Sequence, residues 1–117
     1  MYFVNDFHAE RFSELCEISG RSSDRERLPL FYILSAFDDI FNNCEDIYDL
    51  CSNSIMPESM AAVEYSYNSH AALVELGCHL YNSANPANIC EILMQCGSRE
   101  RLVALEAIKI RCFGMEV

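Results

Sequence analysis

Leu28-Pro29-Leu30-Phe31-Tyr32-Ile33-Leu34-Ser35-Ala36-Phe37-Asp38-Asp39-Ile40-Phe41 is the stretch that decides the fold. Leu30, Phe31, Ile33, Leu34, Phe37, Ile40 and Phe41 fall on a helix so apolar that it belongs at the centre of the molecule. Its start has two readings. Ser23 with Glu26 three residues on makes a capping-box pattern, which leaves Pro29 inside the helix as a kink. Alternatively the helix begins at Leu28 with Pro29 as its first residue.

Working outward, helices recur on both sides. Asn5 is a good N-cap for a helix whose inner face is Phe12, Leu15, Cys16 and Ser19, closed by Gly20. On the far side, Asn68 or Ser69 opens a helix with Ala72, Leu73, Leu76, Leu80 and Tyr81 on one face. Asn85-Pro86 starts another, carrying Ile89, Cys90, Ile92, Leu93 and Cys96 and ending at Gly97. Ser98 opens the last, where Leu102, Leu105, Ile108 and Cys112 share a face that ends at Gly114. Between Cys44 and Tyr67 the period weakens. Glu45 to Cys51 fits one or two helical turns, Ser52 to Pro57 reads as loop, and Val63, Tyr65 and Tyr67 alternate with polar residues as in a short strand. The expectation is an all-α, single-domain bundle of about five helices over 1–117, with a less regular acidic middle and a short strand near 63–67.

Composition agrees and narrows the function. A chain of 117 residues that is 51% hydrophobic and 22% charged is one globular domain with its own core. Its net charge of −10 makes nucleic acid and anionic membranes poor partners. The acidity is local. Residues 1–27 carry −2, residues 28–98 carry −9 with no lysine or arginine, and residues 99–117 carry +1. The N-terminus lacks the basic and apolar regions of a signal peptide, and no run approaches membrane-spanning length, so a soluble, cytoplasmic protein is expected. Seven cysteines, an odd number, mostly sit where small apolar residues would, as reduced core thiols.

Phe3-Val4-Asn5-Asp6-Phe7-His8 with Phe12, the run Leu30 to Ser35 with Asp38-Asp39, Ile47-Tyr48-Asp49, Leu80-Tyr81-Asn82 and Ala107 to Arg111 are landmarks of one kind. Taken together they resemble a family of small proteins of unknown function from bacteria of Gram-positive type. The resemblance covers nearly the whole chain. It implies a bacterial source and brings no activity.

No catalytic or cofactor motif stands out. Cysteine and histidine spacings do not match structural zinc pairs, and glycine-rich phosphate loops and nucleophile elbows are missing from the sequence. Asp38-Asp39 and Glu45-Asp46 are sequence neighbours whose side chains diverge, so neither is a catalytic dyad. His8, in the first turn of helix 1, reads as a surface or capping residue. No cofactor, no metal and no enzymatic activity are therefore expected. The expected function is a non-catalytic protein-protein interaction module that meets a partner with a basic surface. Its contact residues are Asp38, Asp39, Glu45, Asp46 and Asp49, with Tyr65 and Tyr67 in a tyrosine-rich acidic patch. The alternative is an acidic inhibitor that mimics nucleic acid and blocks a phosphate-binding groove.

Overall fold

The computed structural model describes residues 1–20 and 24–115. At its centre is α2 (Arg27–Leu34), in which every residue from Leu28 to Leu34 is buried. It packs against α1 (Asp6–Ser19), α6 (Asn68–Tyr81) and α8 (Ser98–Phe113). The approach of α6 is close because Gly77 faces α2: a Cβ there would lie 3.0 Å from Leu30 Cδ1 and 3.3 Å from Ile33 Cδ1.

α2 starts at Arg27, nearer the later of the two starts read from the sequence, and Pro29 stands in its first turn, where no intrahelical partner is required of its nitrogen. Ser23 of the expected capping box lies outside the described residues. Asp24 organises this end instead. Its Oδ1 accepts the N–H groups of Glu26 (3.0 Å) and Arg27 (3.2 Å), and its Oδ2 pairs with the Arg27 guanidinium at 2.8 Å. Arg27 also donates to the Tyr48 hydroxyl and the Asn53 carbonyl and lies over the Tyr81 ring. One cation thus joins the start of α2 to the hairpin and to the end of α6.

The long apolar stretch is broken where one continuous helix was expected. Ser35 is buried, and its hydroxyl donates back to the carbonyls of Phe31 (2.8 Å) and Tyr32 (3.0 Å), competition that favours termination. Phe37 is then extended, and α3 (Asp38–Phe41) sends Ile40 back into the core. After α4 (Cys44–Ile47), β1 (Tyr48–Asp49) pairs antiparallel with β2 (Ser54–Ile55), Tyr48 opposite Ile55 and Asp49 opposite Ser54. α5 (Pro57–Ala61) follows. The expected strand at 63–67 is not formed. Its alternation is real in part, with Val63 and Tyr65 half-buried, but the Ser66 N–H is taken by the Asp39 carboxylate (2.9 Å) and no strand among the described residues pairs with it. α7 (Ile89–Gln95) begins after Asn88, whose side chain accepts from the Glu91 N–H, rather than after Asn85. Asn85 instead closes α6, donating to the carbonyls of Cys78 and Asn82. Among the described residues the chain is mostly helical, with eight helices rather than about five and one two-stranded sheet.

His8 corrects the sequence reading most sharply. It is fully buried, not a surface residue. Its Nδ1 accepts the Val4 N–H (3.0 Å), which leaves Nε2–H to donate to the Tyr32 carbonyl (2.8 Å). The ring is therefore the neutral Nε2–H tautomer, and burial holds its pKa near 4, helped by Arg11 and opposed by the Tyr32 carbonyl. Phe3 and Tyr32 lie against it with ring centroids 5.1 and 4.5 Å away, Phe12 packs on both of those rings, and the Tyr32 hydroxyl donates to the Tyr2 carbonyl. Asn5 accepts the His8 N–H as the N-cap of α1. Phe3 and His8 thus fasten the N-terminal segment to α2, while Asn5 caps α1; all three anchor the family resemblance.

Candidate functional site

The acidic residues expected to face a partner divide into two groups. Asp38, Asp39 and Asp49 are engaged within the protein. Asp38 at the start of α3 is 81% exposed yet paired with Arg11 at 2.8 Å, and Arg11 is itself stacked over Phe7 and Phe41. Asp39 is turned inward, 16% exposed, against His70 Nδ1 (2.8 Å) and the Ser66 N–H. Asp49 accepts from the Ser52 hydroxyl and the Cys51 N–H, and these bonds, the hydroxyl first, hold its carboxyl below the usual range. Glu45 and Asp46, by contrast, are exposed on α4 with no cation in ion-pair range among the described residues.

Two further acids join the second group. Because α5 packs on α4, a groove of about 510 Å³ forms between Asn43 and Asp46 on one side and Ser59 and Glu64 on the other, with Ala62 and Val63 also lining it. Glu58, next to Ser59, is exposed, as is Glu64. Neither has a described cationic partner. The sequence contained both residues in its uncompensated acidic run, but only the packing of α5 on α4 brings Glu64 into one groove with Asp46.

The tyrosines of the expected patch have different surroundings. Tyr65 turns towards Met60 and Cys78 at a small cavity of about 330 Å³, and burial pushes its hydroxyl pKa up to about 12. Tyr67 is 64% exposed but lies edge-on to His70, and Tyr81 meets Arg27 and Tyr48. His70 itself, 31 residues from Asp39, had no local sequence signal. It is buried, stacks on Phe37 with centroids 4.4 Å apart, and has Glu100 Oε1 4.0 Å from Nε2. It joins α3, α6 and α8 through two carboxylates.

The cysteines are less uniformly buried than expected. All seven are free thiols; Cys16, Cys78 and Cys96 are buried and Cys44 partly so, whereas Cys51, Cys90 and Cys112 are exposed. Burial pushes the Cys16 and Cys78 thiols up to about 11, which makes them unreactive. Among the described residues no three His, Cys, Asp or Glu side chains are placed to hold a metal ion, and no helix is long and apolar enough to cross a membrane.

With this geometry in place, comparison with known proteins adds one match. A model described as a family of unknown function, DUF6075, matches residues 1–115. No curated protein and no solved structure matches the chain.

Proposed function

We propose that this chain, which belongs to the DUF6075 family of unknown function, is a non-catalytic module that binds a protein partner with a basic surface at the groove between α4 and α5. The observation that carries the reading is that Asp46 and Glu64 line that groove while Glu45 and Glu58 are exposed on the two helices that form it, all four without a cation among the described residues. Like charges held this way repel one another, and a folded protein relieves the repulsion by interleaving lysines or arginines. Residues 28–98 supply none. Arginines and lysines on a partner relieve it instead, and Ala62 and Val63 offer apolar contact to their aliphatic stems. The inhibitor that mimics nucleic acid is the weaker reading, since Asp38, Asp39 and Asp49 are committed to Arg11, His70 and Ser52 and are withdrawn from any row of free charges.

The test is to recover a partner from cells with the wild-type chain and to compare it with Glu45→Gln/Asp46→Asn/Glu58→Gln/Glu64→Gln. All four groups are exposed, so the variant keeps its fold and melting temperature. Its affinity for the purified partner should fall at least about tenfold. Unchanged affinity would refute the groove as the contact.

A further inference from the structure

We propose that the cleft between the ends of α6 and α8 and the turn before α2 binds the phosphate group of a small phosphomonoester, using Arg25, Arg111 and His79. This cleft, about 770 Å³, lies in an acidic molecule yet gathers two guanidiniums and an imidazole from three separate elements, with Glu26 as its one carboxylate. Unlike Arg11 and Arg27, neither Arg25 nor Arg111 has an acidic partner among the described residues.

Both guanidiniums are positioned with donor capacity to spare, and the imidazole with one free ring nitrogen. Arg111 spends only Nε, on the Leu80 carbonyl at 3.0 Å, and that bond fixes the plane of the guanidinium while leaving both terminal nitrogens without a described partner. His79 Nδ1 donates to the Asn85 carbonyl at 2.7 Å, so in the neutral ring Nε2 is an acceptor, suited to the proton of a monoanionic phosphate ester. Arg25 lies against the backbone of Gly114, where φ is +78° and an added Cβ would sit 3.1 Å from its Nε; the glycine makes room for the side chain.

The helix ends account for Arg111 Nε, which serves the Leu80 carbonyl, but not for its terminal nitrogens or for Arg25. Asn82 N–H and Asn85 Nδ2 already serve the Cys78 carbonyl, and Gly114 N–H serves that of Ile110. Removing Arg25 therefore leaves none of these carbonyls bare. Two planar forks suit a phosphomonoester, which carries about −1.5 to −2 at neutral pH and three acceptor oxygens. A nucleic acid or an anionic membrane would instead meet the repulsion of the whole molecule, at −10. The cleft exceeds what a bare phosphate fills, and Leu80, Tyr81 and Cys112 wall the remainder, so the ligand has an organic part.

Phenyl phosphate is a suitable probe, titrated at constant ionic strength into ¹⁵N-labelled protein, with phenol and inorganic phosphate as comparisons. Saturable shifts at residues 79–83 and 111 are expected with phenyl phosphate, weaker binding with inorganic phosphate and none with phenol. Arg25→Gln and Arg111→Gln should each weaken phenyl phosphate about tenfold. Arg25 makes no described hydrogen bond or ion pair, so Arg25→Gln keeps its fold and remains informative even if loss of the Leu80 contact destabilises Arg111→Gln. Equal affinity for inorganic phosphate would overturn the organic ligand. Absence of saturable binding, or binding that survives Arg25→Gln undiminished, would overturn the site.

Discussion

Acidification should unfold this protein partly through one histidine. His8 is neutral in the folded state because both ring nitrogens are committed: Nδ1 must stay unprotonated to accept the Val4 N–H, and Nε2–H is used by Tyr32. Its folded pKa is about 4 against 6.5 for the free side chain. Between those values the unfolded chain binds a proton that the folded chain refuses, so stability is fully present above pH 6.5 and is lost as the pH falls towards 4. A difference of that size corresponds to at most about 3 kcal/mol for this buried ring. Carboxylates titrate over the same range, so the assay is a comparison. Urea unfolding of wild type and His8→Gln at a series of pH values isolates the histidine. The variant is less stable at neutral pH, but the gap should shrink by up to about 3 kcal/mol on reaching the folded pKa. Parallel curves for the two proteins would refute the assignment of a buried neutral ring.

Other consequences are simpler to check. Leu34→Ala, in the fully buried stretch of α2, should cost about 2–5 kcal/mol in denaturant unfolding. Leu105→Ala, on the 53% exposed side of α8, should cost less than about 1 kcal/mol, whereas Ala104→Leu on its buried side should cost about 1–3 kcal/mol by overpacking. Iodoacetamide under native conditions should label Cys51, Cys90 and Cys112 quickly and Cys16, Cys78 and Cys96 only on unfolding, as read by peptide mass spectrometry. Arg27→Met should lower stability by about 3 kcal/mol, because Asp24, Tyr48 and Asn53 lose a shared partner at once.

The contrast between Leu105 and Ala104 shows where sequence reading stops. α8 is apolar on two faces, and the sequence puts the larger one, Leu102, Leu105, Ile108 and Cys112, inside; of these only Ile108 packs against the core, half-buried, while Leu102, Leu105 and Cys112 are exposed. The structure buries the smaller one, Val103, Ala104, Ala107 and Ile110, because α8 lies against α2 and α6, where small side chains permit close packing. Periodicity cannot choose between two apolar faces. The central helix was legible because its apolar run leaves no such choice, and Asn5 and Gly20 were legible because caps are local chemistry. The break at Ser35 was not, since a serine is tolerated in a helix unless burial turns its hydroxyl onto the backbone.

The site was legible in the same uneven way. Charge counting located the acidic segment, but which acids remain free depends on contacts far along the chain: Arg11 for Asp38, 27 residues away, and His70 for Asp39, 31 residues away. His8 and His70 look alike as lone histidines near aromatic residues. One is a neutral fastening in the core and the other is held between two carboxylates, a difference made only by tertiary neighbours.

The central claim is that the unrelieved acids in the α4–α5 groove and on the helices that form it meet a basic partner, and the association rate measures it most directly. Stopped-flow mixing of the chain with its purified partner should give a rate that falls steeply as the Debye length shrinks from about 30 Å at 0.01 M salt to about 8 Å at physiological salt. The four-fold Gln/Asn variant at Glu45, Asp46, Glu58 and Glu64 should flatten that dependence. An association rate insensitive to salt, or a variant with the same salt slope as wild type, would contradict the account.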